Sequence, residues 1–75
     1  MIDSLLDACE FILHDQGEPQ RSFWLTSQVV EMRLWRTSEA DVRDTLLKDI
    51  SKLGDSSRFV ALADDEFALR SWATD

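Results

Sequence analysis

Fifteen carboxylates, one histidine and one cysteine are the residues of this 75-residue chain best suited to act as acids, bases, nucleophiles or metal ligands. His14 has no second histidine to join it, and Cys9 lies five residues away, so a zinc site would be short of ligands. Cys9 has no basic residue near it in sequence, which fits a small buried hydrophobe and not an activated thiolate. Asp41, Asp44, Thr45 and Lys48 bring acid, hydroxyl and amine together on one helical stretch, but charges three and four residues apart are the ordinary pattern of a surface ion pair. Asp64, Asp65 and Glu66 stand in a row on a turn, where water solvates them. No glycine-rich loop that could cradle a phosphate exists, since the chain has only two glycines. The expectation is a non-catalytic protein with no cofactor, no metal and no small-molecule substrate.

Binding is the chemistry left to consider. Eight Lys and Arg against fifteen Asp and Glu give a net charge of −7, which repels a phosphate backbone. Residues 1–18 hold five acids and no Lys or Arg, whereas residues 19–36 hold three Arg and one Glu. A DNA-binding face would have to be assembled from Arg36, Arg43, Lys48 and Lys52, with Arg21 and Arg33 beside them. The third predicted helix offers no Asn or Gln for adenine, and only Arg43 could grip guanine with two hydrogen bonds. The alternative for these cations is a set of solvated ion pairs. A protein partner would meet Trp24, one of two adjacent aromatics that cannot both face a narrow core stripe, and the acidic tip Asp64, Asp65 and Glu66.

These residues need elements to position them. Leu5, Leu6, Ala8, Cys9, Ile12 and Leu13 recur at helical spacing, with Asp3 or Ser4 as the cap. Gly17 ends that helix and Pro19 prevents its resumption. Asp3, Asp7 and Glu10 share one helix face with no basic partner in helical reach, so they are expected in solvent. Gln20–Phe23 reads as an extended connection, and Ser22 as the cap of a second helix over Phe23–Met32 that turns Leu25, Val29 and Val30 inward, with Trp24 as a further candidate. Thr37 or Ser38 caps a third helix whose apolar face is Val42, Leu46, Ile50 and Leu53, and Gly54 closes it. Residues 58–63, 64–66 and 67–72 read as strand, turn and strand. Three helices followed by a C-terminal β-hairpin wing is an α+β fold, the winged helix-turn-helix, in a single domain over residues 1–75. No apolar run approaches the ~20 residues of a membrane span, and a lone cysteine cannot form an internal disulfide, so an intracellular chain is expected.

The order and spacing of certain residues resemble the HARE-HTH domain. That winged helix is shared by Additional-sex-combs-like proteins, restriction endonucleases and the N-terminal part of the bacterial RNA polymerase delta subunit. The resemblance runs over roughly residues 4–72. It rests on Leu34-Trp35, on Leu46 with Asp49-Ile50, on Ser57-Arg58-Phe59-Val60 and on Phe67-Ala68-Leu69-Arg70-Ser71-Trp72, with Pro19 and Leu25 also in place. It implies a winged helix with Trp35 and Trp72 closing the core. It also implies a transcription- or chromatin-associated role, through double-stranded DNA or by docking on RNA polymerase or another transcription protein. The location would be cytoplasmic or nucleoid-associated in a bacterium and nuclear in a eukaryote. Three departures matter. Arg33 stands where many members have Gly, the loop from Trp35 to the third helix is short, and Asp64-Asp65-Glu66 replaces a Gly-rich tip and makes a poor phosphate ligand.

Overall fold

Ser4 opens the first helix by accepting the Asp7 amide at 3.1 Å, while the Asp7 carboxylate accepts the Asp3 amide at 3.1 Å. In this computed structural model, which describes residues 2–73, α1 runs Leu5–Gln16 and stops at Gly17 (φ +78°), whose amide bonds the Leu13 carbonyl at 2.8 Å. Strand β1 (Gln20–Arg21) leads directly into α2 (Ser22–Glu31), and α3 covers Glu39–Leu53. Ser38 caps α3 by accepting the Asp41 amide at 3.3 Å, with Glu39 and Asp41 set at the positive pole of the helix. A 3₁₀ turn (Gly54–Ser56), β2 (Phe59–Ala61), β3 (Glu66–Leu69) and a second 3₁₀ turn (Arg70–Ala73) follow.

The sheet order is β1-β3-β2, antiparallel throughout, so β3 is the central strand. Gln20 faces Phe67 and Arg21 faces Glu66 on one side; Phe59, Val60 and Ala61 face Leu69, Ala68 and Phe67 on the other. The β2–β3 hairpin is the wing of an α+β winged helix. Its fully buried core joins Cys9 and Leu13 of α1, Leu25 and Val29 of α2, Val42 and Leu46 of α3, and Phe59 and Phe67 of the sheet.

The end of α2 is built on a left-handed residue. The Leu34 amide bonds the Val29 carbonyl at 3.0 Å and the Arg33 amide bonds the Val30 carbonyl at 3.1 Å, which together form a Schellman motif. Its left-handed position falls on Arg33 at φ +57°, the conformation that glycine takes without a Cβ clash. Leu34 then packs against the core.

Several expectations need correction. Ser22 is not the cap of α2: Arg21 holds that position without a side-chain bond, and Ser22 is the first helical residue, fully buried. The extended segment before it is a true strand, because β3 offers it a pairing edge. Val30 is exposed because it lies about 100° round the helix from Val29. Burial declines along α3, from Val42 and Leu46 at full burial through half-buried Ile50 to Leu53 at 46% exposed, since the last turn lies past the edge of the core. Trp35 is 39% exposed and does not close the core; Leu34 takes the inward place and its neighbour in a non-helical segment turns away. Trp72 does pack against the core, from the 3₁₀ turn that replaces the expected end of the second hairpin strand.

Two stability measurements follow from this packing. Leu46→Ala should cost about 2–5 kcal/mol in urea unfolding, a large share of what a small domain has. Arg33→Gly should stabilise by about 0.5–1 kcal/mol, read as a higher urea midpoint at unchanged slope, because glycine removes the left-handed strain.

Candidate functional site

Helix α3 occupies the place of a recognition helix, and its cations are distributed around it. At about 100° per residue, Arg43 and Lys52 lie about 180° apart on the cylinder, while Lys48 and Lys52 lie about 40° apart. The Lys48 amine pairs with Asp44 one turn back at 3.1 Å, both side chains exposed. Arg43 stands on the other flank, its Nε 3.8 Å from Asp65 Oδ1. Arg36 and Lys52 are exposed and make no ion pair among the described residues. The four cations assigned by sequence to a DNA face therefore do not share one surface, and two of them are met by acids of the same fold.

The acidic groups are also rearranged. Arg58 donates from Nη1 to Asp7 Oδ1 at 2.9 Å and to Glu10 Oε1 at 2.7 Å, drawing the acids of α1 onto the start of β2. These residues are 51 and 48 positions apart, so no search along one helix could find the pair. The Arg58 hydrogen bond, helped by the Asp3 amide, holds the Asp7 carboxyl below its ordinary value, and the same contacts raise Arg58. Asp3 is exposed as expected, whereas Asp7 and Glu10 are half-buried and paired with a base outside helical reach, which corrects the expectation that all three face solvent.

At the wing, only Asp64 remains an exposed tip acid. Asp65 takes φ +56°, a left-handed conformation that aspartate tolerates better than most residues, and folds back so that its side chain is 23% exposed. The buried Ser22 hydroxyl donates to its Oδ2 at 2.8 Å. Helix α2 has no acid in its first turn and no side-chain cap, so this carboxylate supplies the negative charge at its positive pole from across the fold. Oδ1 is buried without a hydrogen bond among the described residues, and Arg43 lies 3.8 Å from it. Glu66 is half-buried as the first residue of β3, opposite Arg21. The expected three-acid docking tip is therefore reduced to Asp64.

Of the aromatic pair, Phe23 is the exposed member at 66%, and Trp24 packs partly against the core. Phe23 borders two surface grooves. One, of about 360 Å³, is shared with Thr26, Ser27, Val30, Glu31 and Glu39. The other, of about 260 Å³, runs past Pro19, Gln20, Arg21, Trp24 and Glu66. A third groove, of about 350 Å³, lies on α1 between Ile2, Asp7, Glu10, Phe11 and His14. Sequence reasoning named Trp24 and missed Phe23; the spacing of Phe23, Thr26, Ser27 and Val30 on one helix side was the signal that could have found it.

Cys9 is fully buried and burial pushes its thiol up to about 12, where thiolate is scarce at neutral pH. Among the described residues no cluster of His, Cys, Asp and Glu could hold a metal ion, and no helix is long and apolar enough to cross a membrane.

Cys9 should therefore resist a thiol-directed disulfide reagent in the native protein and react at a rate set by unfolding, which a time course with and without denaturant would read. A pH series tests the Arg58 cluster. Because Asp7 titrates lower when folded, its contribution is complete above the unfolded value of ~3.9 and is lost as pH falls through the depressed folded value. The stability gap between wild type and Arg58→Gln should be open at neutral pH and close below about pH 4.

No family model, curated protein or solved structure matches the chain, which leaves its own residues and their geometry to carry a functional assignment.

Proposed function

We propose that this chain is a non-catalytic winged-helix module of transcription- or chromatin-associated machinery, and that it works by docking on a protein partner. The observation that carries this reading is the neutralisation of the recognition helix. Lys48 is paired with Asp44, Arg43 faces Asp65, and Asp41 adds a further acid to the outer side of α3. With a net charge of −7 behind it, that surface offers few cations to displace counterions from DNA. Apolar side chains left in water, Phe23, Val30, Met32 and Trp35, are the material of a protein interface. The resemblance to HARE-HTH domains supports the association with transcription or chromatin; RNA polymerase is one partner of that kind.

Direct contact with double-stranded DNA is a second reading. It is favoured by Arg36 and Lys52, exposed and without an ion pair among the described residues, and by Lys48 lying on the same side of α3 as Lys52.

Anisotropy of a labelled mixed-sequence duplex, titrated with the full chain over a salt series, separates the two. Docking on protein predicts no saturation at concentrations below ~10⁻⁴ M, the weak end of non-specific binding. Micromolar binding whose logarithm falls linearly with log salt, and which Arg36→Gln with Lys52→Gln abolishes, would establish the DNA reading instead.

A further inference from the structure

We propose that the groove formed by α2 and the first residue of α3 is the docking site, and that its occupant is a basic segment of a partner protein that inserts a large apolar side chain. The inference rests on the protein-docking reading above and names its site and the chemistry of its partner.

Helix α2 carries two apolar stripes. Leu25 and Val29 are buried in the core, whereas Phe23 and Val30, two turns apart, flank Thr26 and Ser27 on a stripe left open by the described residues. A helix whose second stripe stays in water retains apolar area that a partner can bury. The groove over this stripe holds about 360 Å³, enough for one bulky side chain with its neighbours.

The rim decides what can enter. Glu31 closes one end on α2 and Glu39 stands across from it on α3. Both are exposed, and neither makes an ion pair among the described residues. Arg43, one turn after Glu39, is held at Asp65 instead. Two exposed carboxylates without an ion pair among the described residues, beside an apolar floor, attract Lys or Arg flanking an apolar anchor. They repel a DNA phosphate, and they oppose a second copy of a chain that carries −7.

The test uses the full chain, isotopically labelled for NMR, titrated with a Lys- and Leu-rich amphipathic peptide and with a twin in which every Lys is Glu. The Lys peptide should shift amide signals over residues 23–31 and at Glu39, and the Glu twin should shift none. Phe23→Ser should weaken the Lys peptide by about tenfold, the effect of losing an interface anchor. Because Phe23 is mostly exposed, this variant should keep the wild-type melting curve. Glu31→Gln with Glu39→Gln, which touches no core residue, should weaken binding several-fold and flatten its salt dependence. Peptide shifts confined to Asp7, Glu10 and Phe11, or undiminished binding by Phe23→Ser, would overturn the groove and leave protein docking standing. Absence of peptide binding would overturn the groove as well. If the labelled duplex then bound with a phosphate-type salt slope, the docking reading would fall with it.

Discussion

The hydrogen bond from Ser22 to Asp65 joins residues 43 positions apart and ties the wing turn to the start of α2. Ser22 is fully buried, so its hydroxyl needs a partner, and it donates to the Asp65 carboxylate. Asp65 meets that need from the left-handed region, at φ +56° in the wing turn. The following residue, Glu66, then falls opposite Arg21, and the two-residue β1 can pair with β3. A strand that short has little stability alone. Its register is set by the tie on one side and by Phe67, buried opposite Gln20, on the other.

The same tie organises charge. By drawing Asp65 inward it removes an acid from the tip, places it at the positive pole of α2, and sets it near Arg43. Arg58 does the equivalent work at the opposite end of the sheet, gathering Asp7 and Glu10. Arg70 serves the backbone, donating to the carbonyls of Ser57 at 2.7 Å and Gly54 at 2.8 Å, and so clamps the entrance of the wing to its exit. Among the described residues, Arg43, Lys48, Arg58 and Arg70 thus stand within ion-pair distance of an acid, and Arg70 is further occupied by carbonyls. Cations committed to internal contacts are less free to neutralise phosphates, and fold order alone does not make a DNA reader.

The order of elements was legible because it is local. Ser4, Gly17, Ser38 and the spacing of Val42, Leu46 and Ile50 each act within a few residues, and each does in the structure what its type suggests. Ser57, eight residues after Asp49, donates to it at 2.6 Å and accepts the Phe59 amide at 3.1 Å, so the join between α3 and the wing is local as well. What was not legible is non-local. Ser22 and Asp65 have the types of a cap and a solvated acid, and only their meeting across the fold gives them another role. Trp24 and Phe23 could not be told apart by type, because α2's rotation is fixed by where β1 delivers it. The candidate surface depends on those non-local choices, which is why its residues differ from the ones that sequence alone put forward.

If the wing tie organises both pairing and charge, removing either partner should cost nearly as much as removing both. A double-mutant cycle of Ser22→Ala and Asp65→Ala in urea unfolding measures this directly, because the left-handed strain of Ala at 65 cancels between the two arms. A coupling of about 1–3 kcal/mol is the result expected for a partly buried hydrogen bond to a carboxylate. Additivity within about 0.5 kcal/mol would contradict it, leaving the wing turn held by the strand pairing alone.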